Sequence, residues 1–241
     1  FDCDQVTARQ TVPVNGAVSV AVSPDGGQVY AAAHSDDAIL VFSREPESGA
    51  LKFLEMHRDG SGGVDGLDGA MSVTVSPDGS HGYVAGFSDD AIAVFNRSPD
   101  TGRLTFVELQ RDGAAGVDGL NGAYCVAVSP DSKQVYAAGT EDHAVAMFSR
   151  DPATGRLTYL GMQQNGAGGV DGLSLVQSVT VSPDGNHVYA ASMFEDAVAV
   201  FRRSSATGQL TYQETQRDGA AGVDGLDGAF AVAVSPDSKH V

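Results

Sequence analysis

One aspartate recurs at a constant spacing inside the glycine-bracketed motif Gly-Val-Asp-Gly-Leu. The four copies, 53 residues apart, carry Asp65, Asp118, Asp171 and Asp224. Hard cations such as Ca²⁺ take about six to eight oxygen ligands, and glycine-rich segments offer backbone carbonyls beside carboxylates. The pattern therefore predicts a divalent cation site, with Ca²⁺ as the favoured ion. Two alternatives stay open: these side chains cap turns by bonding backbone amides, or they recognise another ligand.

Two histidines are candidate catalytic groups because each occurs in a single copy of the repeat. His34 is one, and His143 takes a position that is aspartate in the other three copies. A histidine among carboxylates can act as a general acid or base near neutral pH. Drift in a surface loop is the alternative explanation for both residues.

A second histidine position alternates with glutamine between copies. His81, His187 and His240 correspond to Gln28 and Gln134. This interchange predicts a solvated strand start and no ligand there.

The composition excludes several function classes. The net charge of −17 argues against binding to nucleic acid or to an anionic membrane surface, both of which require Lys and Arg. No apolar run exceeds six residues, far below the ~20 needed to cross a bilayer, so no membrane insertion is expected. Motifs for a nucleophile elbow, a zinc protease helix or a phosphate-binding loop are also missing from the sequence.

These residues must be positioned by a repeat, because Ser-Pro-Asp occurs five times at intervals of 53 residues, beginning at Ser23. One copy reads as four short strands, 72–75, 82–85, 91–95 and 104–109, separated by turn sequences rich in Pro, Asp and Gly. One four-stranded antiparallel sheet per repeat predicts an all-β protein with the β-propeller architecture. Recurrent Tyr and Phe residues on the second and third strands are expected to pack between blades.

The repeat boundaries predict a single propeller domain over residues 1–241. Complete repeats cover about 19–71, 72–124, 125–177 and 178–230, with a partial repeat at 231–241 and an outer strand at 5–12. A blade built from these two partial pieces would lack its third strand. The chain is therefore expected to be part of a ring of six or seven blades, to close imperfectly with five, or to be completed by another chain. Unpaired blade edges would favour self-association.

The two cysteines are too few for a disulfide framework. Cys125 stands where the other copies have Ser or Ala, which predicts a small buried side chain. A Cys3–Cys125 bridge is possible on the sequence alone.

Four segments carry a family resemblance: 179–185, 187–192, 196–201 and 207–211. Their strands and turns resemble the bacterial repeats of the seven-bladed lactonase, or 6-phosphogluconolactonase-like, proteins and the Tyr-Val-Thr-Asn surface-layer repeats. The resemblance implies a propeller and a lactone hydrolase activity, and it assigns no catalytic residue to a position of this sequence.

The near identity of the repeats favours a non-catalytic function, because catalysis requires groups that differ from one another. The sequence thus predicts an extracytoplasmic binding or scaffold module whose acidic loop face binds a protein, a small molecule or Ca²⁺. The alternative function is a lactonase-type hydrolase.

Overall fold

A computed structural model describes residues 14–241 and contains four antiparallel sheets of four strands each. The first two blades contain β1 Ala17–Val22, β2 Gln28–Ala33, β3 Ala38–Arg44, β4 Leu51–Arg58, β5 Ala70–Val75, β6 His81–Gly86, β7 Ala91–Arg97 and β8 Leu104–Arg111. The third and fourth contain β9 Ala123–Val128, β10 Gln134–Gly139, β11 Ala144–Arg150, β12 Leu157–Gln164, β13 Val176–Val181, β14 His187–Ser192, β15 Ala197–Arg203 and β16 Leu210–Arg217. The predicted all-β propeller is confirmed.

The first strands of the blades lie together at the centre of the molecule. Strand β1 contacts β5, β5 contacts β9 and β9 contacts β13, so each sheet runs outward from this axis to its fourth strand. A polar side chain links each first strand to the next: Ser19 Oγ accepts a bond from Val73 N, and Ser72 Oγ accepts one from Val126 N. Cys125 Sγ takes the same role for Val179 N, and burial raises the pKa of its thiol. Cys3, its proposed disulfide partner, lies outside the described residues, as does the predicted outer strand 5–12.

The blades pack through aromatic side chains, as the repeat pattern predicts. Six are almost fully buried: Tyr30, Tyr83, Tyr136, Phe95, Phe148 and Phe201. Removing each ring from water contributes about 1.5–3 kcal/mol. Burial also raises the pKa of Tyr83 to about 12.

Buried arginines on the third strands tie each blade to the one before it. Arg97 Nε donates to Tyr30 Oη at 2.8 Å, and Arg97 Nη2 donates to Asp25 Oδ2 at 2.6 Å. Arg150 and Arg203 repeat this arrangement in the next two interfaces. A buried guanidinium destabilises the fold unless its N–H donors are paired, and these arginines donate to acceptors of the preceding blade.

The prediction that the start of the second strand is solvated is wrong for two residues. His81 is only 2% exposed and Gln134 only 4%. His81 Nδ1 lies 2.5 Å from Arg150 Nη2, and Gln134 Oε1 accepts a bond from Arg203. The two residue types interchange because each presents an acceptor to the buried arginine of the next blade.

Antiparallel order places two sets of loops at the same end of the sheets. The loops between second and third strands share this end with the connectors that lead from each fourth strand to the next first strand. We call this end the connector face. The turns that contain Ser-Pro-Asp and the loops between third and fourth strands form the opposite face. Residues 229–241 follow the fourth blade and form no strand.

Candidate functional site

The connector face carries most of the carboxylates of the described chain. Its connectors hold Asp59, Asp65, Asp68, Asp112, Asp118, Asp171, Asp218, Asp224 and Asp227, and its short loops hold Asp36, Asp37, Asp89, Asp90, Glu141, Asp142, Glu195 and Asp196. Many of them accept backbone N–H bonds. Asp59 Oδ1 accepts from Leu67 N at 3.0 Å, and Asn165, which replaces an aspartate, accepts from Leu173 N at 3.1 Å. Closing a connector is therefore one structural role of these side chains.

The four predicted metal ligands do not meet at one point, because each belongs to a different connector. Asp65 lies with Asp59 and Asp89 in one group, and Asp118 lies with Asp112 and Asp142 in another; ligand oxygens within each group are less than 4.8 Å apart.

Asp171 pairs with Arg217, and Asp224 is exposed. Two of the four predicted ligands thus lie in three-carboxylate groups, and Ca²⁺ binding stays a prediction.

An arginine at the end of the fourth strand distinguishes the two groups. Arg111 Nη2 donates to Asp65 Oδ1 at 3.0 Å and to Asp89 Oδ1 at 2.8 Å. The equivalent residue in the third blade is Gln164, whose Nε2 donates to the Asp142 carbonyl at 3.1 Å. Burial, with further contributions from Asp112 and Asp118, raises the pKa of Asp142. The group Asp112–Asp118–Asp142 therefore lacks the arginine that contacts two carboxylates of its counterpart, although burial raises the pKa of Asp89 in the counterpart as well.

His143 makes a hydrogen bond that joins two segments of the fold. Its Nδ1 accepts a bond from Leu175 N at 2.9 Å, just as Asp90 Oδ1 accepts from Gly122 N at 2.8 Å. Both residues adopt positive φ, 53° and 52°, in the same turn of successive blades. His143 thus links the third blade to the following connector, and a catalytic role for it stays a prediction.

His34 lies nearer the axis. A Cβ built on Gly69 of the next blade would stand 3.4 Å from His34 Cε1. The Nδ1 atom of His34 is buried and has no hydrogen-bond partner among residues 14–241.

Between blades, the residues that differ most surround the axis at the connector face. The second residue of each first strand, and its counterpart after the fourth blade, are Val18, Met71, Tyr124, Gln177 and Phe230. The residue that follows each second strand is His34, Phe87, Thr140 or Met193. We call these nine residues the axial mouth.

The first-strand residues of the mouth line a cavity of about 170 Å³ at the axis. Phe87 and Phe230 both pack edge-on against Tyr124, with ring centroids 6.1 and 5.8 Å apart. Gln177 Oε1 is buried without a partner among the described residues. Sequence reasoning missed this site, although a column-by-column comparison of the repeats would have revealed it. By contrast, the residue two positions after each of these variable first-strand residues is valine in all five copies.

The fold and the axial mouth define a β-propeller with one variable cavity. The family model described as "Lactonase, 7-bladed beta-propeller" matches residues 56–173 and 122–222. The chain therefore belongs to this lactonase family, and the predicted resemblance to seven-bladed lactonases is confirmed. No helix in the described residues is long and apolar enough to cross a membrane.

Several proteins that are similar to this chain are named as lactonases. A 6-phosphogluconolactonase of Enterobacter sp. (strain 638) is 23% identical over 98% of this chain and 83% of its own length. A 6-phosphogluconolactonase of Klebsiella pneumoniae (strain 342) is 24% identical over 98% and 73%. Among solved structures, a periplasmic gluconolactonase of Pseudomonas aeruginosa aligns with a TM-score of 0.66 at 23% identity. That alignment covers 85% of this chain but only 55% of the Pseudomonas protein.

These comparisons overturn one prediction. The sequence favoured a non-catalytic binding or scaffold module, yet the relatives that match nearly the whole chain are lactonases. The prediction was wrong because it weighed the near-identical strands and turns, which set the fold, and not the positions that differ between copies, such as those of the axial mouth.

Proposed function

We propose that this protein hydrolyses a sugar lactone bound at the axial mouth. The observation that carries the proposal is its membership of the lactonase family, together with relatives named for lactone hydrolysis. The four variable first-strand residues and Phe230 line one cavity and add local support, because a substrate requires groups that differ around its outline.

The chemistry requires water to attack the lactone carbonyl carbon. The bond from that carbon to the ring oxygen then breaks, and the ring oxygen takes up a proton to give a hydroxy acid. A general base that accepts the proton of the attacking water contributes about 10²–10⁴-fold. We assign this role to His34, because its Nδ1 is buried without a partner in the described chain and its ring lies beside Gly69, two residues before Met71 of the cavity lining.

The experiment follows proton release from glucono-1,5-lactone in weak buffer, with the rate without enzyme subtracted. We expect His34→Gln to lower kcat about 100-fold or more. Tyr124→Ala should mainly raise KM, because it removes an aromatic wall of the cavity. Ser205→Ala, an exposed change on the opposite face, is the control. Hydrolysis no faster than in buffer would refute the proposal, and full activity of His34→Gln would refute the role of that residue.

An extracytoplasmic location is a further part of the proposal, supported by the periplasmic relative from Pseudomonas aeruginosa. Fractionation of the native host, with immunodetection of the protein in each compartment, tests it. Recovery with the cytoplasmic fraction would contradict it.

A further inference from the structure

The connector face is strongly negative around the axial mouth. It carries the seventeen carboxylates named above, whereas its arginines are Arg58, Arg111 and Arg217. The remaining Lys and Arg residues of the described chain lie on the opposite face or at the ends of strands that point toward it. A substrate that enters the mouth therefore passes through a field set by carboxylates.

The three arginines of this face are neutralised by those carboxylates. Arg111 contacts two, Arg217 contacts Glu195 Oε2 at 2.5 Å, and Arg58 lies 3.4 Å from Asp36 Oδ1. All three also end fourth strands, which are the outermost strands of their blades. They are thus placed far from the axis and already paired.

The lining of the cavity contains no Asp, Glu, Lys or Arg among the described residues. It is formed by aliphatic and aromatic side chains, by small hydroxyl groups and by Gln177. A carboxylate lies beside this lining: a Cβ built on Gly122 would lie 2.9 Å from Glu141 Cγ and 3.1 Å from Phe87 Cε2. Glu141 therefore stands beside the aromatic wall of the mouth.

We propose that the substrate is an uncharged sugar lactone, and that the negative connector face excludes lactones that carry a phosphate group. This inference rests on the proposed function and specifies its substrate class. A phosphate monoester carries about −1.5 to −2 charges at pH 7 and is normally bound by Arg or Lys. Here the surrounding charges are of the same sign. A neutral sugar instead fits the lining, since the buried Gln177 Oε1 can accept a bond from a ring hydroxyl and the aromatic rings can cover its apolar face.

The test compares kcat/KM for glucono-1,5-lactone with kcat/KM for its 6-phosphate, with spontaneous hydrolysis subtracted. We expect the neutral lactone to be favoured at least tenfold at low ionic strength. Raising the salt concentration shortens the Debye length to about 8 Å at 0.15 M, so the value for the phosphate ester should rise while that for the neutral lactone stays constant.

A charge-removing variant shows whether the face sets this preference. Glu141→Gln should narrow the ratio between the two lactones, whereas Glu47→Gln, the same change on the opposite face, should leave it unaltered. A preference for the phosphorylated lactone would overturn the inference and leave the proposed function standing. Hydrolysis of neither lactone would refute the proposed function, and this inference with it.

Discussion

Replacing Gln164 with arginine should stabilise the protein, because it supplies the cation that the third blade lacks. Arg58, Arg111 and Arg217 occupy the same position at the ends of the other fourth strands, so the backbone already accepts this side chain. In the second blade the guanidinium lies within 3.0 Å of two carboxylates. The new arginine should make the same contacts with Asp118 and Asp142.

The expected gain is modest, since the corresponding pair in the second blade is partly exposed. Arg111 is 39% exposed, Asp65 49% and Asp89 16%. Partly exposed ion pairs are worth about 0.2–1 kcal/mol, so two contacts with a crowded acidic group should contribute about 1 kcal/mol. For a chain of this size the melting temperature should rise by about 2–4 °C.

The pH dependence gives an independent check. The folded pKa of Asp142 is raised, so the native state binds a proton before the unfolded state as the pH falls. Protonation of Asp142 thus relieves carboxylate repulsion in the wild-type protein on acidification, and the advantage of Gln164→Arg should shrink as the pH falls through the raised pKa of this group. Thermal melts from pH 7 to pH 3, recorded by circular dichroism at low salt, measure both effects.

The matched variant is Arg111→Gln, which converts the second blade into a copy of the third. It should lower the melting temperature by a similar amount at pH 7. If Arg111→Gln destabilises the protein but Gln164→Arg leaves the melting temperature unchanged or lowers it, the charge argument for the third blade is refuted.

Three further predictions concern metal, pH and the blade interfaces. If Ca²⁺ binds the group that contains Asp118, millimolar Ca²⁺ should raise the melting temperature of wild-type protein above its value in chelator. Gln164→Arg should abolish that shift. No shift in wild-type protein would exclude Ca²⁺ binding at this group. Burial, and next the charge of Arg150, lower the pKa of His81, so the unfolded state takes up the proton first and wild-type protein should lose stability as the pH falls below about 6.5. Thermal melts from pH 7 to pH 5 should show a smaller loss of stability for His81→Gln. An equal loss in the two proteins would contradict this prediction. Arg203→Ala should lower the free energy of unfolding in urea by about 3–5 kcal/mol, because it leaves buried partners unpaired. Arg44→Ala should lower it much less, since the one side-chain hydrogen bond of Arg44 in the described chain goes to a backbone carbonyl. Equal losses of stability would count against the interface argument.

The sequence predicts the fold well because strand alternation and turn chemistry are local. The predicted second-repeat strands 72–75, 82–85, 91–95 and 104–109 fall within β5 to β8. The burial of His81 could not be read in the same way, because its partner Arg150 lies 69 residues further on and reaches it only when the blades stack. The bond from Leu175 N to His143 is likewise set by the meeting of two blades. Repeat comparison showed that His143 is unique to its copy and that His81 alternates with glutamine, but the surroundings of both residues depend on contacts between repeats.

The distribution of differences between repeats carries a physical argument about the site. A residue that packs between two blades has the same surroundings at each interface, so the same side chain fits each time. The buried valines Val73, Val126 and Val179 and the Ser-Pro-Asp turns are examples. A residue of the axial mouth meets different neighbours in each blade, as Tyr124 does with Phe87 and Phe230, and it also borders the shared cavity. The five different side chains from Val18 to Phe230 are thus free to vary together around one occupant. Exchanging Tyr124 and Gln177 removes the ring contacts of Tyr124 with Phe87 and Phe230, worth about 0.5–1.5 kcal/mol each, so the melting temperature should fall by several degrees. Lactone hydrolysis should fall much further, whereas a loss of activity no larger than the loss of folded protein would place these residues among the packing contacts.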